Sequence, residues 1–156
     1  MNTKSSYISQ GALIAALYVL LTLVSSAFGL SSGAIQLRLS EMLTVLPLYF
    51  SSAVPGLFIG CIIANLITGS AIWDVVFGSL ATLVAAIITS KMQKARYLAS
   101  LPPVLANTLV VPFVIKLVYG DTMALWLIAI TVFIGEILSC TVLGTILITF
   151  MEKRKK

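Results

Sequence analysis

The chain contains no histidine. That removes the one side chain that titrates near neutral pH, and with it imidazole-based acid–base catalysis and His-ligated metal sites. Charge is scarce as well: 10% of the 156 residues are charged, against about a quarter in a soluble domain. The two cysteines, Cys61 and Cys140, both lie inside apolar runs. They read as packed, reduced thiols rather than a disulfide or a metal site. No G-x-x-x-x-G-K-[ST] phosphate loop occurs, so the chain holds no nucleotide-driven motor of that type. There is no internal repeat, and no pair of corresponding broken helices marks an inverted-repeat transporter. Without histidine or an activated nucleophile pair, an intramembrane enzyme is disfavoured.

What remains is mostly apolar. Hydrophobic residues make up 60% of the chain, and mean hydropathy is +1.11. The class is an all-α integral membrane protein of a single domain, residues 1–156. A net charge of +5 follows membrane topology, as shown below, and does not point to nucleic acid. The start, MNTKSSYISQ, precedes an apolar run of about 20 residues without an A-x-A-like site; it is expected to be a retained first span rather than a signal peptide.

Span one runs roughly from Ile8 to Leu30 and opens with two small-xxx-small pairs, Gly11/Ala15 and Ala12/Ala16. Small residues allow the close backbone approach by which helices associate in lipid. They serve either packing against a neighbouring span or docking on another membrane subunit. The region Met42 to Thr68 is one kinked span or two, split at Ser51 to Gly56, and charge decides. With two spans the chain crosses six times, and Lys4, Lys91, Lys94, Arg96, Lys153, Arg154, Lys155 and Lys156 share the cytoplasmic side, leaving Arg38 and Lys116 outside. With one span that distribution inverts. Cytoplasmic flanks carry the excess of Lys and Arg, so six spans with both termini cytoplasmic are expected. Span three then covers Val54 to Thr68, span four Trp73 to Ser90, span five Leu98 to Tyr119 and span six Met123 to Phe150. Pro102 and Pro103 belong at the start of span five, where proline is tolerated. Span two is left with about 15 residues, some 22 Å as a helix, short of the roughly 30 Å hydrocarbon core. Its adjoining backbone must be shielded by protein or line a cavity.

The stretch Ile35 to Tyr49, IQLRLSEMLTVLPLY, breaks the apolar habit. Ile35, Leu37 and Leu39 alternate with Gln36, Arg38 and Ser40, the period of an extended segment. Ser40 suits a helix N-cap, and Glu41 falls in the first turn, where the helix dipole favours an anion. Glu136 near the middle of span six is the clearest intramembrane acid, and ionisable groups there are costly and mark sites or buried pairs. Asn107 and Asn65 are cheaper and also serve as interhelical bonds. Arg38, Glu41, Asn65 and Asp74 all map to the outer half. Such a set favours a ligand rich in N–H donors, flat and cationic or amidine-like, with Trp73 or Tyr49 available to stack on it. Trp73 alone also fits an interfacial anchor.

The segments IQLRLSEMLTVLPLYF, GLFIGCIIANL and WDVVFGSLATLVAA resemble the QueT family, queuosine-precursor transporters that act as substrate-binding S components of energy-coupling factor (ECF) transporters. The resemblance covers most of the chain. It implies a six-helix S-component fold in the bacterial plasma membrane, with a pocket near the outer face. It implies a deazaguanine cargo, such as queuine or its aminomethyl precursor, and no cofactor. It also implies a partner module of two ATPases and one coupling subunit, on which the Ala12/Ala16 pair docks. Arg38, Glu41, Asn65 and Asp74 match the family's motif residues; Trp73, Asn107 and Glu136 join them on the reading of the residues alone. Two rival readings are an S component for another vitamin-like molecule and a structural membrane protein.

Overall fold

The computed structural model describes residues 3–30 and 37–153; Gln36 and the basic residues Arg154, Lys155 and Lys156 lie outside them. Within the described residues the chain is helical, with no strand. Its helices are α1 (Thr3–Ala27), a 3₁₀ helix (Leu39–Leu48), α2 (Ala53–Ile67), α3 (Ile72–Ser90), a 3₁₀ turn (Arg96–Leu98), α4 (Leu101–Val118), α5 (Leu125–Glu136) and α6 (Gly144–Lys153). A π-helical segment, Ile137–Leu143, joins α5 to α6, so residues Leu125–Lys153 form one continuous helix.

Four helices are long and apolar enough to cross a membrane: Lys4–Ala27, Ile72–Ser90, Arg96–Val118 and Leu125–Lys153. The sequence-based limits shift by a few residues, because α1 begins at Thr3 and the last span runs on to Lys153. Pro102 and Pro103 fall in the first turn of α4, as their missing N–H groups require. Leu13, Leu20, Leu109, Leu117 and Ile146 are all more than half exposed, an apolar exterior suited to lipid. The protein is a multi-pass membrane protein.

The segment expected as span two differs from its sequence reading. It is a 3₁₀ helix of 10 residues, eight of them buried, and it packs against α1, α2, α3, α6 and the π segment. Runs of 3₁₀ longer than three or four residues are uncommon because their hydrogen-bond geometry is poorer. Here the stretched form carries Leu39 to Leu48 about 20 Å along the bundle axis, some 5 Å farther than the same residues would reach as an α-helix. Pro47 has no N–H to lose in the change. Wrapped by other helices, this backbone never meets lipid. Ser40 is not the N-cap: Arg38 holds that position in extended geometry, and no side chain caps the helix. The Ser40 hydroxyl is fully buried and accepts a hydrogen bond from Thr22 Oγ1 at 2.8 Å.

Helices α1 and α2 touch backbone to backbone. A Cβ added at Gly56 would stand 2.7 Å from the Gly11 carbonyl oxygen, and one at Gly60 would stand 3.0 Å from that of Ala15. The Gly11/Ala15 pair therefore serves internal packing. Ala12 and Ala16 point outward and are exposed.

Basic residues sort by the ends of the bundle. Tyr7 hydrogen-bonds the Ser51 carbonyl, and Arg96 pairs with Glu152, so the start of α1 and the end of α6 share one end with Lys91, Lys94 and Arg96. The other end carries the turns at Gly29, Gly69 and Gly120, together with Arg38, Asn65, Asp74 and Lys116.

Candidate functional site

A cavity of about 430 Å³ opens between the helices at the end carrying Gly69 and Gly120. Its wall includes Arg38, Glu41, Asp74, Asn107, Tyr119, Asp121 and Glu136. The whole chain has 5 acidic residues, and all but Glu152 line this cavity. Among the described Lys and Arg residues, Arg38 alone is one of the lining residues.

Each polar group is held by its own element. Asp74 is the third residue of α3, in the first turn, where the positive end of the helix dipole favours its carboxylate. Tyr119 at the end of α4 donates to Asp74 Oδ2 at 3.4 Å and accepts from the Ala71 N–H at 3.0 Å, which ties α4 to the start of α3. Asn65 is fully buried near the end of α2. There Gly69, at φ 72°, closes the helix with bonds from its N–H to Leu66 O and from Ser70 N–H to Asn65 O, at 3.2 and 2.9 Å. The Asn65 amide oxygen accepts from Arg38 Nη2 at 3.0 Å. Gly78, one turn beyond Asp74, presents no side chain to these groups; a Cβ there would meet Asp74 Oδ1 at 3.4 Å and Asn65 Nδ2 at 3.6 Å.

Deeper in the bundle, Glu41 is 2% exposed. Its Oε1 accepts from the Tyr18 hydroxyl, while its Oε2 is buried without a hydrogen-bond partner. Glu136, where α5 passes into the π segment, accepts from Asn107 Nδ2 at 3.0 Å and from Cys140 Sγ at 3.1 Å. A carboxylate oxygen of Glu41, one of Glu136 and Cys140 Sγ all lie within 4.8 Å of one another. Among the described residues no Lys or Arg pairs with Glu41, Asp74 or Glu136 within 4.0 Å; the ion pair is Arg96–Glu152, at the opposite end. Were both carboxylates ionised, two charges about 5 Å apart would repel by roughly 3 kcal/mol at an effective dielectric near 20. A cation between Glu41 and Glu136 would relieve that repulsion. The trio offers three ligand atoms to a metal, which would require Cys140 as the thiolate.

Six of the residues singled out from sequence therefore stand together: Arg38, Glu41, Asn65, Asp74, Asn107 and Glu136. Trp73 does not join them. Its ring is 54% exposed and stacks on Phe77, with centroids 5.9 Å apart. On the first turn of α3, Asp74 turns inward and Trp73, one residue earlier, turns to the exterior. Tyr49 is also remote, bonding Glu152 at 3.3 Å at the opposite end. Sequence reasoning missed Tyr18, Thr22, Tyr119 and Asp121. Tyr18, Thr22 and Ser25 recur at helical spacing in the otherwise apolar middle of α1, a polar row that pointed inward. Cys61 and Cys140 are free and buried, as expected, and their sulfurs receive weak bonds from Thr82 and Thr44 at 3.6 and 3.8 Å.

No solved structure matches the chain. The protein described as "Queuosine precursor transporter QueT" from Lactococcus lactis subsp. cremoris (strain MG1363) is 40% identical over 73 residues, a segment covering 47% of this chain and 43% of that protein. The match thus spans less than half the length of that relative. A family profile described as "QueT transporter" matches residues 8–153, nearly the whole chain, and the chain accordingly belongs to the QueT family, a family of transporters rather than enzymes.

Proposed function

We propose that this protein is the substrate-binding S component of an ECF transporter in the bacterial cell membrane, and that its cargo is a queuosine precursor with a deazaguanine base. The observation that carries the reading is the concentration of four of the five acids, Asn107 and one arginine around a single cavity, with the buried Asn65 bonded to that arginine. Its volume falls in the range of about 300–1,000 Å³ usual for small-molecule sites. A guanine-like edge presents adjacent N–H donors to one carboxylate and a carbonyl to a cation, a two-point recognition that charge strengthens. Asp74 and Arg38, near the mouth, meet those needs. The sorting of basic residues to the opposite end supports six crossings with both termini cytoplasmic and the cavity facing outward.

Delivery requires partners that supply energy: a transmembrane coupling subunit and two ATPases. Ala12 and Ala16 line an apolar groove between α1 and α2, with Gly56 at its floor, and a helix of the coupling subunit fits such a small-residue surface.

Calorimetry on the detergent-purified protein tests the cargo. The deazaguanine should bind the wild type, and Asp74→Asn should weaken it about 10- to 100-fold, the worth of a charge-assisted hydrogen bond. Wild-type affinity in that variant sinks the assignment of Asp74. Ala12→Trp and Ala16→Trp should abolish co-purification with the coupling subunit while ligand still binds; unchanged co-purification removes this groove from the docking surface.

A further inference from the structure

We propose that Glu41, Glu136 and Cys140 form a binding site for a thiophilic divalent metal ion of the zinc(II) or cadmium(II) type. The inference is independent of which organic molecule the cavity carries. Three observations support it. The first is convergence. A carboxylate oxygen of each glutamate and Cys140 Sγ all lie within 4.8 Å of one another. The sulfur stands 3.1 Å from Glu136 Oε2, close to the roughly 3.5 Å between neighbouring ligands of a tetrahedral zinc ion. The second is an idle ligand atom. Glu41 Oε2 has no hydrogen-bond partner in a residue only 2% exposed, and an acceptor left unmet in the interior is costly. The third is that the remaining atoms are braced. Tyr18 donates to Glu41 Oε1, Asn107 Nδ2 donates to Glu136 Oε1 at 3.0 Å, and Thr44 Oγ1 donates weakly to the sulfur at 3.8 Å. Outer partners of this kind orient the ligands of metal sites.

The fold builds this set from irregular segments. Glu41 belongs to the 3₁₀ helix. Glu136 ends α5, and Cys140 follows it in the π segment; π-helical turns are rare and recur at functional sites. The ligand set also selects the ion. Calcium takes about six to eight oxygens, and magnesium keeps a near-octahedral oxygen shell. One thiolate and two carboxylates suit a softer ion. Three protein ligands leave a fourth position, as in zinc sites that exchange their last ligand, and it faces the cavity that Glu41 and Glu136 line. On binding, the thiol proton leaves to solvent, with the proton of either carboxyl group that carries one. Metal–sulfur and metal–oxygen bonds then replace the hydrogen bond between Cys140 and Glu136.

The test is a cadmium(II) titration of the purified full chain, without a histidine tag, in excess magnesium. The chain has no histidine of its own, so no imidazole competes. The thiolate–cadmium charge-transfer absorption should rise and saturate at one ion per protein. Cys140→Ser should abolish it, and Cys61→Ser, which alters the other buried thiol, should keep it. Glu41→Gln and Glu136→Gln should each weaken binding at least about tenfold, a scale reached even when an outer-shell partner is lost. The ion should raise the melting temperature of the wild type and not that of Cys140→Ser. Cadmium NMR of the wild type, which requires no variant to fold, should show a single sulfur ligand. A chemical shift typical of two sulfurs or of none overturns the site. So do an absence of saturable absorption, an absorption that survives Cys140→Ser, and an absorption lost only in Cys61→Ser. Unchanged affinity in either glutamine variant overturns it as well.

Discussion

Replacing Gly56 by alanine adds one methyl group at the tightest contact between α1 and α2. The new Cβ would lie 2.7 Å from the Gly11 carbonyl oxygen and 3.3 Å from both Gly11 Cα and Ile14 Cβ, where ordinary contact begins at 3.4 Å. The nearest obstacle is backbone, so it cannot rotate away and the helices must part. Overpacking of this kind costs about 1–3 kcal/mol, and the better helix propensity of alanine returns up to ~1 kcal/mol. The expected net loss is about 1–2 kcal/mol, a fall in melting temperature of roughly 2–8 °C for a chain of this size. Gly78→Ala is the control, because its Cβ would meet nothing closer than 3.4 Å; it gains the propensity without the clash and should melt at or slightly above the wild type. A thiol-reactive fluorophore reports the transition in detergent, since Cys61 and Cys140 are 1% and 0% exposed and become reactive on unfolding. The displacement of α1 also carries Tyr18 away from Glu41, so ligand affinity should fall with stability in Gly56→Ala. A Gly56→Ala protein melting as high as Gly78→Ala would refute the close packing of α1 on α2.

Two further outcomes separate the inner from the outer residues. Tyr18→Phe removes the hydroxyl that bonds Glu41 Oε1 and so takes a donor from a buried carboxyl group; a loss of about 1.5–3 kcal/mol in stability is expected, and an unchanged melting curve would mean that Tyr18 does not brace Glu41. Trp73→Phe should leave ligand affinity within about twofold, because the ring stacks on Phe77 outside the cavity and a surface substitution is usually worth less than about 0.5 kcal/mol. A large loss of affinity there would return the ring to the binding site.

The sequence by itself determined the membrane class, the four long spans and the sorting of basic residues. Each is a local sum: hydropathy over about twenty residues, or charge counted in a flank. It also singled out Glu41, Asp74, Asn107 and Glu136, because a polar side chain in an apolar run carries its own signal. Tertiary structure decided which way the apolar faces turn. Lipid and protein interior are equally apolar, so periodicity does not distinguish the outward Ala12 and Ala16 from the inward Gly11 and Ala15, or Trp73 outside from Tyr119 at the cavity. Structure also decided the 3₁₀ form of Leu39–Leu48, which depends on the room left by the helices around it. The partnership of Glu41 with Tyr18, and its approach to Glu136, come from residues 23 and 95 positions apart; only the packing of separate helices brings those two carboxyl groups within 4.8 Å in the apolar interior.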